Sequence, residues 1–380
     1  MIPYGRQSVD EADIDAVVQV LRSDWLTQGP AIERFEAAMA SRCGTDHGVM
    51  VCNATAALHL ACLAAGLGPG DWLWTSPNTF LASANCGLYC GAQVDFVDID
   101  PATWNLSASA LAAKLAVAER EGRLPKVVVA VAFAGQSCDM AALASLAREY
   151  GFTLIEDASH AVGASYQGQP VGSGQYADMT VFSFHPVKII TTGEGGLVVT
   201  RHTALAERLR RLRSHGMTRD PALMTETSHG PWYYQQLELG FNYRATDLQA
   251  ALGVSQLARL DSFLERRRAL AADYDQALAR LPLRLPTPQP GAESAWHLYV
   301  VRVPERRDEV FAALRAAGIG VNVHYIPVHL QPYYRQLGFG PGNFPEAEAY
   351  YREALSLPLY PGLAAAEQRY IVDTLAGALA

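Results

Sequence analysis

Through Thr200, short continuous apolar runs alternate with segments whose apolar positions recur at helical spacing. The runs at 72–75, 94–97, 127–133, 152–155, 179–184 and 197–200 are mainly apolar, which predicts strands buried on both faces. Between them, 55–65, 81–89, 140–150 and 203–214 carry helical periodicity. Ser8-Val9-Asp10-Glu11 has the form of a capping box and opens a predicted helix to about Arg22. A second helix is predicted over 30–41, ending near Gly44. Strands alternating with helices predict an α/β fold with a largely parallel sheet between helical layers.

The texture changes after residue 246. Residues 247–281 read as one long helix, and the Arg266-Arg267-Arg268 cluster inside it as a solvated face. Four prolines, at 282, 286, 288 and 290, mark 282–291 as a connector. A strand at 298–303, a helix at 308–317 and a strand near Val321 follow. The expected organisation is a large α/β domain with an N-terminal arm, 1–246, and a smaller C-terminal α+β domain, 247–380. A length of 380 residues suits two such bodies.

Composition narrows the function. Half the residues are hydrophobic, and 38 acidic against 30 basic side chains leave a formal net charge of −8. That balance argues against a nucleic-acid footprint. No apolar run reaches the roughly 18 residues of a membrane span, and Met1-Ile2-Pro3-Tyr4-Gly5-Arg6 opens no apolar leader. A soluble, cytoplasmic protein is expected. The cysteines at 43, 52, 62, 86, 90 and 138 form no Cys-x-x-Cys and read as reduced, buried thiols, with no metal site.

Three stretches carry candidate chemistry. In Ser183-Phe184-His185-Pro186-Val187-Lys188-Ile189-Ile190-Thr191-Thr192-Gly193-Glu194-Gly195-Gly196, a predicted strand delivers Ser183 and the following loop presents Lys188. A lysine after a strand is usually a solvated charge; burial in this apolar, glycine-flanked loop would lower its pKa and make it a nucleophile. In Ile155-Glu156-Asp157-Ala158-Ser159-His160-Ala161, Asp157 ends a predicted parallel strand, where open α/β sheets bind ligands. It equally fits a helix cap, and His160 a packed histidine. In Cys52-Asn53-Ala54-Thr55-Ala56-Ala57, small residues open a helix whose free N–H groups suit a phosphate, though capping by Asn53 or Thr55 explains it as well. Together these suit pyridoxal phosphate (PLP). That cofactor needs a lysine, a carboxylate against its ring nitrogen, a phosphate cradle and a flat side chain over the ring. Phe80, in Ser76-Pro77-Asn78-Thr79-Phe80, is the stacking candidate, or else a core residue.

Over nearly its whole length the chain resembles the nucleotide-sugar aminotransferases, fold-type-I PLP enzymes. The lysine loop, the Glu156-to-His160 element and Gly240-Phe241-Asn242-Tyr243-Arg244 with Asp247-Leu248-Gln249-Ala250-Ala251-Leu252-Gly253 carry the resemblance. It implies that Lys188 is the Schiff-base lysine and proton shuttle, Asp157 the pyridinium partner and His160 its neighbour near the ring hydroxyl. Ala54, Thr55 and Ser183 resemble phosphate ligands. Asn242 resembles a residue that reaches the phosphate in the neighbouring subunit, which implies a homodimer with shared active sites. Many relatives have Ser-Gly-Thr where this chain has Asn53-Ala54-Thr55, and some have Gln in place of His160.

Within the family the sequence is most similar to the C4-transaminases of pseudaminic acid biosynthesis. Ile2-Pro3-Tyr4-Gly5, Ser23-Asp24-Trp25-Leu26-Thr27-Gln28-Gly29 and Asn322-Val323-His324-Tyr325-Ile326-Pro327-Val328-His329 carry that similarity. It implies substrate contacts from Tyr4, Asp24, Trp25, Leu26, Thr27, Asn322, Val323, His324 and Tyr325. The implied reaction takes an amino group from glutamate to C4 of UDP-2-acetamido-2,6-dideoxy-β-L-arabino-hex-4-ulose, giving UDP-4-amino-4,6-dideoxy-N-acetyl-β-L-altrosamine. The alternative is C4 amination of another 4-keto-6-deoxy nucleotide sugar, of the perosamine, bacillosamine or legionaminic acid type. A 3-dehydratase of the same fold would carry histidine in place of Lys188. A PLP-fold regulator would need a DNA-binding segment. A nicotinamide oxidoreductase would need a Gly-x-Gly-x-x-Gly after the first strand, which is missing.

Overall fold

Seven strands form the central sheet of the computed structural model, which describes residues 1–380. Their order across the sheet is His47–Val51, Gly196–Thr200, Met179–Ser183, Thr153–Asp157, Val127–Val131, Trp72–Thr75 and Gln93–Phe96. Gly196–Thr200 runs antiparallel to both neighbours, and every other pairing is parallel. The largely parallel α/β sheet expected from the apolar runs is therefore present. His47–Val51, an edge strand opening with His-Gly, lies outside the predicted runs.

Alternation along the strands separates two buried faces. Val127, Val129, Val131 and Ile155 pack with helices Ala54–Ala64 and Ala82–Tyr89. Val128, Ala130 and Leu154 pack with Leu111, Leu115, Met140 and Leu143 from helices Ala108–Glu121 and Met140–Tyr150. A further core lies between helix Pro30–Cys43 and helix Asp247–Ala258 and includes Phe35, Met39, Phe182 and Ala250. Toward the C-terminus, Tyr299–Arg302 pairs antiparallel with Ala354–Leu357. Their core takes in Leu270, Tyr274, Val310 and Ile371, from helices Leu260–Leu278, Arg307–Ala316 and Ala365–Leu379.

Four expectations are corrected. The first helix is capped by Asp10, whose side chain accepts from the Asp13 amide at 3.1 Å while Asp13 returns the bond. The box is therefore Asp10/Asp13, and Ser8 and Glu11 do not form it. The long helix is two, Asp247–Ala258 and Leu260–Leu278, because Arg259 turns its N–H back to Gln256 and Leu257. Arg267 is not solvated: it is 1% exposed, and its Nη1 donates to the Trp296, His297 and Leu359 carbonyls at 3.0–3.3 Å. Near Val321 there is no strand, only isolated bridges of Ile319 with Ile2 and of Asn322 with Ser356. No helix is long and apolar enough to cross a membrane.

Candidate active site

At the carboxyl ends of the parallel strands lies a cavity of about 580 Å³. Its wall includes Lys188, Asp157, His160, Ser183, Ala54, Thr55, Phe80, Tyr4, Asn322, Val323, His324 and Tyr325. These residues come from six separate stretches of chain, and each was singled out by its local motif. The predicted residues outside this wall are Asp24, Trp25, Leu26, Thr27 and Asn242, all of them exposed.

Lys188 sits in a tight turn after Met179–Ser183, its N–H donating to the His185 carbonyl at 2.8 Å. Thr191 Oγ1 and the Thr192 amide both donate to the Phe184 carbonyl at 2.9 Å, which closes the loop. Burial lowers the Lys188 pKa from its ordinary 10.5 to about 8, against a smaller opposing pull from Asp157. At Gly196 a Cβ would stand 2.4 Å from the Asn53 carbonyl and 2.6 Å from the Ala54 nitrogen. Glycine there lets the lysine loop lie directly against the start of helix Ala54–Ala64.

That helix start is a donor site. Asn53 caps it through Oδ1, accepting from the Ala56 amide at 2.8 Å, so the capping reading holds for Asn53. The Ala54 and Thr55 amides, first in the helix, remain available beside Ser183 in the cavity wall.

Asp157, 5% exposed, ends its strand facing the cavity. Its Oδ1 accepts from the Ser159 amide at 3.1 Å and the Ser159 hydroxyl at 2.6 Å; its Oδ2 accepts from Ser83 Oγ at 2.6 Å. His160 is equally buried. Its Nδ1 accepts from the Ala134 amide at 3.2 Å, so a neutral ring carries its proton on Nε2, 3.1 Å from the Tyr325 hydroxyl. Burial, then the charges of Lys188 and His324, push the His160 pKa well below the usual histidine value and keep it neutral.

The opposite wall comes from the C-terminal part and the N-terminal arm. Asn322 and His324 are 3.3 Å apart through Nδ2 and Nε2, and His324 Nδ1 lies 2.7 Å from Ser356 Oγ. Burial lowers the His324 pKa to about 3. The Tyr4 ring stands 5.4 Å from the His324 ring, and the Tyr4 carbonyl accepts from the Leu359 amide at 3.0 Å. Phe80 is 58% exposed at the cavity edge, its ring 6.3 Å from Tyr325, so it is no core residue.

Sequence reasoning missed Ser83, Thr79 and His297, all in the cavity wall. Ser83 and Thr79 flank Phe80, so the signal was adjacent. The His297 ring lies 4.4 Å from the His160 ring, tilted by 47°, and its carbonyl accepts from the buried Arg267, which no local motif announces.

The donor set fits pyridoxal phosphate: paired helix amides for an anion, a carboxylate in a walled pocket, and a lysine of lowered pKa in the same cavity. The groups able to ligate a metal do not cluster.

Residues 7–376 match the DegT/DnrJ/EryC1/StrS aminotransferase family. The chain is 42% identical over 370 residues to the spore coat polysaccharide biosynthesis protein SpsC of Bacillus subtilis, covering 95% of this chain and 93% of that one. The putative sugar aminotransferase Spr1654 from Streptococcus pneumoniae, in its PMP form, superposes with a TM-score of 0.91 at 32% identity, covering 100% and 99% of the two chains. Helicobacter pylori PseC, an aminotransferase involved in the biosynthesis of pseudoaminic acid, superposes with a TM-score of 0.90 at 29% identity and the same coverage. The chain thus belongs to the DegT/DnrJ/EryC1/StrS aminotransferase family and is a PLP-dependent sugar aminotransferase.

Proposed function

We propose that the enzyme aminates C4 of a UDP-linked 4-keto-6-deoxy sugar, with glutamate as donor. The specific substrate proposed is UDP-2-acetamido-2,6-dideoxy-β-L-arabino-hex-4-ulose, and the product UDP-4-amino-4,6-dideoxy-N-acetyl-β-L-altrosamine. The observation that carries this reading is the likeness to PseC over 100% of the chain, at 29% identity. The higher identity to SpsC, 42%, favours a second reading: a sister C4-aminotransferase acting on another 4-keto-6-deoxy nucleotide sugar.

Bound in the cavity, pyridoxal phosphate supplies an aldehyde that captures amines and a ring that takes up electrons when a C–H proton leaves. Lys188 Nζ moves that proton. With its pKa near 8, it is basic enough to take a proton and acidic enough to return it near neutral pH. Asp157 would accept from the ring N–H and hold that nitrogen protonated. The Ala54 and Thr55 amides with Ser183 would bind the phosphate, Phe80 would cover the ring, and His160, held by Tyr325, would stand near the ring hydroxyl. Tyr4, Asn322, Val323, His324 and Tyr325 hold the sugar. Residues 1–246 act as the cofactor-binding domain and 247–380 as the smaller domain completing the sugar side.

The active unit in this reading is a homodimer. Asp24–Thr27 and Asn242 lie outside their own chain's cavity, and Asp24–Thr27 meets the chain a few residues beyond Asn242. Thr27 bridges Thr246, and the Leu26 carbonyl accepts from the Asp247 amide at 3.1 Å. Trp25, Leu26 and Asn242 are exposed and outside their own chain's cavity, and in this reading they are the residues a second copy would receive at its own site.

The test is turnover with glutamate across a panel of 4-keto-6-deoxy nucleotide sugars, read by product mass. Amination of the UDP-L-arabino-hexulose alone supports the first reading. Amination of a different member, with that sugar untouched, replaces it with the second.

A further inference from the structure

Asp157 has three donors on its two oxygens, and they are unevenly shared. Ser159 supplies two of them, both to Oδ1, while Ser83 supplies one to Oδ2. A carboxylate offers about four acceptor positions, two on each oxygen. One position on Oδ2 is left for a ligand donor. The oxygen that meets the ring nitrogen is therefore the one Ser83 already holds.

The polarity behind Ser83 follows. An ionised carboxylate only accepts, so the single Ser83 proton is committed to Asp157. Thr79 Oγ1 lies 2.7 Å from Ser83 Oγ, and Thr79 must be the donor of that bond. The order Thr79→Ser83→Asp157 is a one-way hydroxyl chain, each member polarising the next. It is buried throughout: Ser83 is 0%, Thr79 2% and Asp157 5% exposed, so water does not replace a lost member cheaply. Ser83 is the second residue of helix Ala82–Tyr89, and Thr79 lies four residues before it, so both are rigidly placed.

We propose that Ser83, backed by Thr79, is a positioning residue of the transamination reaction: it fixes Asp157 Oδ2 against the cofactor ring nitrogen and sets how fully that nitrogen holds its proton. Ser159 acts on the other oxygen and matters less to the ring. This rests on the reading of Asp157 as the ring-nitrogen partner, and the experiment separates the two ideas.

The enzyme is loaded with PLP labelled with nitrogen-15 in the ring, and the ring nitrogen resonance is recorded for wild type, Asp157→Asn, Ser83→Ala, Ser159→Ala and Thr79→Val. Asp157→Asn should move the resonance toward the unprotonated position. Ser83→Ala should move it part of the way, Thr79→Val less, and Ser159→Ala less than Ser83→Ala. Steady-state kcat of Ser83→Ala should fall about 5- to 10-fold, the worth of one buried hydrogen bond, with KM for the sugar within about twofold. A resonance that moves in Asp157→Asn and stays at the wild-type position in Ser83→Ala overturns the role of Ser83. So does a larger shift in Ser159→Ala than in Ser83→Ala. A resonance unmoved in Asp157→Asn overturns the reading of Asp157 itself, and the role of Ser83 falls with it. Should Ser83→Ala fail to fold, the near-isosteric Thr79→Val carries the same test.

Discussion

Two neighbouring carboxylates, Glu156 and Asp157, close one strand, and the pleat sends them to opposite faces of the sheet. Asp157 shares its face with Ile155 and opens on the cavity, 5% exposed, held by two hydroxyls and an amide. Glu156 shares its face with Leu154, is equally buried, and meets Ser137 Oγ and Thr180 Oγ1 at 3.3 Å with no basic partner. Burial drives the Glu156 pKa up to about 7, against the smaller pulls of these hydroxyls and the Gly172 amide. A carboxylate is a tool where a ligand can complete its shell, and a burden where only the fold surrounds it.

Experiments on the two faces should separate accordingly. The largest effect belongs to the front. In the proposed reaction Lys188 both holds the cofactor and carries the proton, so Lys188→Ala should lower kcat by at least about 10³-fold. If Asp157 stands opposite the ring nitrogen as proposed, Asp157→Ala should cost roughly 10²–10³-fold in kcat through loss of that charge. Rates measured at saturating glutamate and sugar check both. Near-wild-type turnover in either variant would break the assignment of the front face.

How much of this was legible in the sequence follows the same division. The sheet could be read because a parallel strand buried on both faces is a continuous apolar run; His47–Val51, with His-Gly at its start, could not. Lys188, Asp157, His160 and Thr55 could be read because each sits in a contiguous motif whose neighbours have chemical meaning. Ser83, His297 and Arg267 could not, because their roles are made by partners far along the chain. Ser83 reaches Asp157 across 74 positions. Arg267 is buried only because three carbonyls from 296, 297 and 359 converge on it. The break at Arg259 was invisible for a different reason: one turned residue between two helices leaves the apolar period almost unchanged.

The back face offers a smaller and opposite effect, in Glu156→Gln. The folded pKa of Glu156, about 7, stands above its ordinary 4.5, so between those values the folded chain binds a proton that the unfolded chain has released. Stability contributed by that proton is complete below pH 4.5 and is lost as pH rises through 7. Glutamine keeps the shape and has no charge to desolvate; its oxygen accepts from one hydroxyl, and its Nε2 donates to the other, which turns to accept. The variant should match wild type near pH 4 and exceed it above pH 7, by roughly 2–3 kcal/mol. Urea unfolding of the cofactor-free protein at about pH 4 and about pH 8 measures the difference directly. Its kcat should stay within about threefold of wild type, since Glu156 touches neither cavity nor ligand. An equal change in stability at both pH values would mean that packing, and not proton binding, sets the energetics of this carboxyl. A collapse of kcat would erase the division between the faces, because it would make Glu156 part of the support for Asp157.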